Sequence, residues 1–273
     1  MIVKRKEALI LSIAALLVGS SSCALSESIS SSDGREVVRV EGDRIVYRSL
    51  SELTAAADLI VIGEYAEETE QELEYEYSAE YGKEILIDAT SENTVAVKSV
   101  LKGELPEKPI RISQRYGVVD DLDQLVTFSE MTPMEKGTEW IFFLYYDEKG
   151  DTYWCAGDYT GRYPVPNEKI SSVCARAVSV REERDQWLGE KKTIPESLIE
   201  SKISEGGYVY TDIDGNHYEL VERAEAEKAV DYVEQIYALT EELEASDFGV
   251  YERDQINLEL YCDILEEFDC SVG

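Results

Sequence analysis

From Leu59 to Val165 the chain reads as a series of short strand-type runs, and this limits its fold more than any other feature. The runs are Leu59–Gly63, Ile85–Ala89, Thr94–Leu101, Ile110–Gln114, Trp140–Tyr146, Tyr153–Ala156 and Arg162–Val165. They are rich in β-branched and aromatic residues, which fit a pleated, half-buried surface. Lys102-Gly103 and Asp147-Glu148-Lys149-Gly150-Asp151 supply turns between them. Five or six short strands protect their unpaired edges best by closing into a barrel. Val37–Val40 and Arg44–Tyr47 flank Glu41-Gly42-Asp43 and predict one more hairpin ahead of the barrel. Ser49 and Glu52 frame a capping box for a short helix over 50–57.

The pattern changes after Pro166. Val180–Leu188 predicts a helix, and Pro195 is suited to the first position of another through Ile203. Tyr208–Thr211 and His217–Val221 predict a small hairpin, 208–221, around Asp212–Asn216. Ala226, Ala229, Val230, Val233, Ile236, Tyr237 and Leu243 then recur at three/four spacing, as do Ile256, Leu260, Tyr261, Ile264, Leu265 and Phe268. Asp247-Phe248-Gly249 separates the two sets, so the C-terminal end reads as an α-helical hairpin. The expected class is α+β. A barrel domain over 35–168 is followed by a mainly helical region over 169–273.

Charge narrows the partners. The 273 residues carry 58 acids against 26 bases, a net charge of −32. Nucleic acid demands a basic footprint and is excluded as a partner. Docking on anionic lipid through charge is excluded on the same ground. The single histidine, His217, removes most His-based catalytic and zinc constellations. There is no G-x-S-x-G and no Gly-rich phosphate loop. An Asp/Glu pair suited to glycoside hydrolysis carries no weight in a chain with this many acids, because some pair is always close.

The first thirty residues read as an address. Lys4, Arg5 and Lys6 precede an apolar run over Ala8–Val18, then small residues over Gly19–Ser22, then Cys23. This order resembles a bacterial lipoprotein signal, with 1–22 removed and Cys23 becoming the lipidated first residue. The alternative is an ordinary secretory signal cut near Ser22 or Ala24. Either way the chain is expected outside the cytoplasm, at the outer face of the cell membrane or secreted. Ser-rich residues 23–34 read as a flexible tether. Four cysteines follow: Cys155, Cys174, Cys262 and Cys270. In an oxidising compartment they allow two disulfides in three pairings. A continuous helix would hold Cys262 and Cys270 about 12 Å apart, too far for a bridge, so a bridge there requires the helix to end before Cys270.

Three features are candidates for function. From Glu72 to Tyr77 glutamates alternate with Leu73, Tyr75 and Tyr77. A strand would place the acids on one face and the aromatics on the other. That is either a strip for stacking sugars or holding a peptide, or an extended hairpin whose tyrosines pack on the protein itself. Residues 115–136 read as a long loop carrying Asp120, Asp121 and Asp123, which can hold a hard cation or sit as a solvated acidic loop. Asp212-x-Asp214-x-Asn216 begins like a calcium loop, but His217 stands where that loop needs glycine and Arg223 where it needs its acid. No cofactor other than calcium is suggested.

Ala57-Asp58-Leu59-Ile60-Val61-Ile62-Gly63-Glu64, Val97–Gly103 and Gly137-Thr138-Glu139-Trp140-Ile141-Phe142-Phe143-Leu144 occur in an order similar to the OB-like barrels of the netrin and metalloproteinase-inhibitor type. The resemblance extends to uncharacterised bacterial lipoproteins with the same rhythm and covers roughly residues 50–165. It implies an OB-like antiparallel barrel. The inhibitors act through an N-terminal Cys-x-Cys, whereas Cys23 is followed by Ala24 and Leu25, so inhibition is not carried over. The expected function is that of an acidic, lipid-anchored binding protein for a protein or wall-glycan ligand, contacting it through the barrel face and the 115–136 segment. The alternatives are an envelope hydrolase working through an Asp/Glu pair and a calcium-responsive envelope protein.

Overall fold

The computed structural model describes residues 31, 34–40, 45–106, 109–212 and 215–270. The chain divides into two compact units. One holds Ile170–Glu242, and the other holds Glu27–Lys169 together with Leu243–Gly273.

The larger unit is built on a closed barrel of five strands: β2 (Leu59–Ser78), β3 (Lys83–Lys102), β4 (Ile110–Gln114), β7 (Glu139–Asp147) and β8 (Thr152–Cys155). Around the barrel they run β2-β3-β4-β8-β7, and β7 pairs back onto β2 from Leu59↔Leu144 to Glu64↔Glu139. β4 and β8 are parallel and the other barrel pairs antiparallel. This is the expected α+β class with an OB-like barrel. Strand β2 ends its approach at Asp58, and β3 leaves the barrel at Gly103, whose φ is +85°. A side chain at Gly103 would stand 2.5 Å from the Asp58 carbonyl oxygen, so glycine is required where the two strands close.

Val61, Tyr65, Val95, Ile110, Ile112, Trp140, Phe142, Leu144 and Cys155 form the inner core with Met131 and Met134. β7 is also buried on its other face, where Phe143 meets Tyr163 and Phe268 edge-on at 6.1 Å each. That double burial explains why Trp140–Leu144 is continuously apolar instead of alternating. β9 (Arg162–Pro164) pairs beside β7 at Trp140–Phe142 and brings Tyr163 to that outer face, which the C-terminal segment covers. There α5 (Leu258–Glu267) buries Leu258, Leu260, Tyr261, Cys262 and Ile264. The Tyr261 ring stacks on Tyr163 at 5.7 Å, and its hydroxyl donates to the Pro164 carbonyl at 2.8 Å. The short helix α1 (Leu50–Ala56) starts at Ser49, whose side chain accepts from the Glu52 amide at 3.3 Å. Glu52 reaches back to the Arg48 amide, one residue earlier than the expected box.

Several sequence expectations change, among them that Ile85–Ala89 and Thr94–Leu101 are separate strands, for both lie in β3. Residues 115–136 are not an open loop: β5 (Tyr116–Val119) and β6 (Gln124–Thr127) form a hairpin, with Asp120–Leu122 as a 3-10 turn at its tip. β1 (Glu36–Arg39) does not make the expected hairpin with 44–47, of which 45–47 are described. It pairs parallel with β6, giving a second sheet in the order β1-β6-β5. The turn signal at 41–43 lies outside the described residues.

The smaller unit has a three-stranded sheet in the order β10-β12-β11, from β10 (Lys192–Ile194), β11 (Tyr208–Thr211) and β12 (His217–Leu220). The expected hairpin 208–221 is its β11–β12 pair. Helix α2 (Glu168–Leu188) leads into the unit, and α3 (Ile199–Ser204) and α4 (Arg223–Glu241) follow. Leu188, Tyr210, Leu220, Ala226 and Ala229 make its core. The two helices expected at the C-terminal end are present as α4 and α5, but they belong to different units. The division after 168 therefore does not separate the barrel unit from the whole C-terminal region.

Candidate contact surface on the hairpin arm

β2 and β3 are each 20 residues long, far more than the barrel uses. β7 pairs with β2 only as far as Glu64, and β4 pairs with β3 only between Ser91 and Val95. Beyond these limits the two strands continue together as an arm, through the pairs Glu72↔Thr90, Leu73↔Ala89 and Glu74↔Asp88 to Ser78↔Lys83. Irregularities in register, the outermost between Glu74 and Tyr75, keep the ribbon twisted.

One face of the arm is held by β5. Gln71 uses both ends of its side-chain amide on Val118: Nε2 donates to the Val118 carbonyl at 3.0 Å, and Oε1 accepts from the Val118 amide at 2.7 Å. Ser91, the register partner of Gln71, donates to the Tyr116 carbonyl at 3.1 Å. Gly117 lies so close that a side chain there would meet Leu73 at 2.6 Å and Ala89 at 2.9 Å. The Tyr116 hydroxyl donates to Glu68 at 2.8 Å and lies 3.2 Å from Asn93 Oδ1. Burial, followed by the charge of Glu68, raises its pKa well above the ordinary phenol value.

Side chains two apart on a strand share a face. The face that Gln71 and Leu73 present to β5 therefore continues through Tyr75 and Tyr77, beyond the cover. There the rings are in solvent: Tyr75 is 48% exposed, Tyr77 65% and Tyr81, in the turn, 64%. The expectation that these tyrosines pack on the protein itself is overturned, because β5 stops short of them. The hairpin half of that expectation stands. Glu70, Glu72, Glu74 and Glu76 are exposed, and none is in an ion pair among the described residues. The acids opposite two of them on β3 are matched instead: Asp88, the register partner of Glu74, with Arg115 at 3.1 Å, and Glu92, the register partner of Glu70, with Arg111 at 2.9 Å.

The other candidates stand apart. Asp120, Asp121 and Asp123 occupy the exposed tip of the β5–β6 hairpin, where Arg35 approaches Asp120 at 3.9 Å and Asp123 at 3.7 Å. Asp212 holds its own turn, accepting from the Asn216 amide at 2.8 Å, the Asn216 side chain at 3.0 Å and the Tyr218 hydroxyl at 3.0 Å. Asp214 and Cys23 lie outside the described residues. Among the described residues no group of three or more His, Cys, Asp and Glu is gathered to hold a metal ion. Cys155, Cys174, Cys262 and Cys270 are buried thiols. α5 ends at Glu267, ahead of Cys270, as a Cys262–Cys270 bridge would need. His217 has its Nδ1 2.9 Å from Thr211 Oγ1, across the β11–β12 pair.

Arg162 is the feature sequence reading missed. It is 2% exposed, yet carries no carboxylate partner among the described residues. Its Nη2 donates to the carbonyls of Thr132 and Gly249 at 2.9 and 2.8 Å, and the guanidinium lies over the Trp140 ring at 4.5 Å. Burial lowers its pKa to about 10. Its only sequence signal is an arginine at the head of an apolar strand.

Among the described residues no helix is long and apolar enough to cross a membrane. Comparison with family models, curated proteins and solved structures finds no match.

Proposed function

We propose that this is an exported, lipid-anchored, acidic interaction protein that meets its partner through the bare end of the hairpin arm. The carrying observation is that the aromatic face of the arm outruns its cover at Tyr75 and Tyr77. Full burial of a large apolar side chain is worth about 1.5–3 kcal/mol. At these rings that stabilisation is left for a partner to supply. Exposed aromatics are also the residues that most often anchor interfaces. The acids around them keep the arm soluble and resist pairing with another copy of itself. Cys23, following a basic and then an apolar segment, supports anchoring of this body to a membrane by lipid.

The test is site-directed photo-crosslinking in the producing cell's envelope, with the reactive group at position 77 or at the exposed Tyr237 of the other unit. The proposal expects a discrete adduct from position 77 and none from 237. Equal labelling at both positions overturns it. C23A is expected to move the protein from the membrane fraction to the soluble fraction, and unchanged fractionation overturns lipid anchoring.

A further inference from the structure

We propose that the outer edge of β2, between Glu70 and Ser78, takes up an extended partner segment in which cationic and apolar residues alternate. The proposal rests on the reading of the arm as the contact surface and specifies what binds there. β2 meets β3 on one side along its whole length. On the other side β7 leaves after Glu64, and the last backbone bonds join Tyr65 to Gly137 and Thr138. Among the described residues no backbone hydrogen bond joins 66–78 to any strand other than β3. An edge of this kind presents a row of donors and acceptors to another strand.

The side chains flanking this edge define the visitor. A strand laid beside β2 places each of its residues opposite one of β2, on the same face. Opposite Glu72, Glu74 and Glu76 a cation is favoured, because like charges directly across a pair are destabilising. These glutamates have no ion pair among the described residues to give up, and the nearest arm cation in sequence, Lys83, sits at the far end of the turn. Opposite Leu73, Tyr75 and Tyr77 an apolar residue covers the rings. The complement of Glu-Leu-Glu-Tyr-Glu-Tyr is thus a cationic–apolar alternation. A second copy of the arm does not qualify: joining the two aromatic faces would set Glu against Glu. A basic but unpatterned partner does not qualify either, since a one-residue slip moves every side chain to the wrong face.

The experiment uses the full chain without its leader and two synthetic peptides of identical composition. In one, lysine alternates with valine and isoleucine; in the other, the lysines form a block. The alternating peptide is expected to bind about tenfold more tightly than its isomer. Y75S/Y77S is expected to erase that preference. E72Q/E74Q/E76Q is expected to weaken the alternating peptide at least as strongly while leaving the tyrosines in place. All of these side chains are exposed, and unchanged circular dichroism and melting confirm that the variants fold. Equal binding of the two isomers overturns the proposal and shows attraction by net charge only. A preference that survives both variants places the peptide elsewhere and also overturns it. If position 77 crosslinks a partner while the isomers bind alike, edge pairing fails and the contact surface stands. If position 77 captures nothing, both readings fail together.

Discussion

Gly249 lies directly against the guanidinium of Arg162. Its carbonyl accepts from Arg162 Nη2 at 2.8 Å, and a Cβ on Gly249 would stand 2.4 Å from that same nitrogen. Trp140, over which the cation sits, would be 2.8 Å from the same added carbon. Gly249 also has φ of +63°, which side-chain-bearing residues adopt at a cost. One buried cation thus ties Thr132, β9 and the start of the C-terminal segment together, and only glycine leaves it room. G249A combines backbone strain with overpacking and is expected to destabilise the larger unit by about 2–3 kcal/mol. Chemical denaturation followed by tryptophan fluorescence checks this, since Trp140 is at the contact. A change under 0.5 kcal/mol would show that Arg162 moves aside freely.

The same segment makes the barrel depend on residues far away in the chain. Leu243–Gly273 groups with the barrel unit: Tyr261 covers Tyr163, Phe268 covers Phe143, and Phe248 packs edge-on against Tyr261. A chain ending at Glu242 would expose Phe143 and the outer face of β7. It is expected to lose cooperative melting of the barrel and to aggregate. Y261F keeps the ring and removes the hydroxyl that bonds Pro164, so it is expected to cost about 1 kcal/mol. A truncated chain that melts like the full one would show the segment to be dispensable.

Alkaline pH supplies a second handle. The Tyr251 hydroxyl is buried without a hydrogen-bond partner among the described residues, and burial raises its pKa to about 12, with the charges of Arg162 and Arg39 pulling the other way. Between pH 10 and 12 the unfolded chain has lost this proton and the folded chain retains it. The folded state then binds more protons, so stability falls as pH rises. Arg162, with its pKa lowered, acts with the opposite sign in that range, and comparison with a variant cancels its contribution. Y251F is expected to match the wild-type chain within about 1 kcal/mol at neutral pH and to exceed it by about 2 kcal/mol near pH 12. Urea midpoints at the two pH values give the answer.

Attachment of the arm to β5 depends on Gln71. Q71A leaves the Val118 amide and carbonyl without their partners and is expected to cost about 1–2 kcal/mol. Most of the effect should be local. Hydrogen exchange at Val118 is expected to accelerate, while exchange at β7 amides changes little. Uniform acceleration across the barrel would instead show that arm and barrel open as one unit.

Much of this architecture is legible along the chain because it depends on neighbours. Ile110–Gln114 is a strand with the bounds its residues suggest, and the turn over Asp147–Asp151 joins β7 to β8 as its composition implies. The alternation at 72–77 correctly predicts an extended hairpin. Spacing and turn chemistry act within a few residues, and here nothing distant opposes them. The errors come where the partner is distant. Nothing local distinguishes β1 paired parallel to β6 from β1 paired to 44–47, and nothing marks 116–127 as a hairpin backed by the arm.

The sequence by itself determined strand periods, the turns at Lys102-Gly103 and Asp147–Asp151, the acidic surface and the alternation of Glu with Tyr. Tertiary structure alone decided whether those tyrosines were covered. Coverage depends on where β5 ends relative to β2, a distance between segments some forty residues apart. It also decided that Arg162, unremarkable in an apolar strand, is a buried cation over Trp140. Burial of a charge is a property of everything packed around it, and those neighbours, Thr132, Trp140 and Gly249, come from three separate stretches of chain.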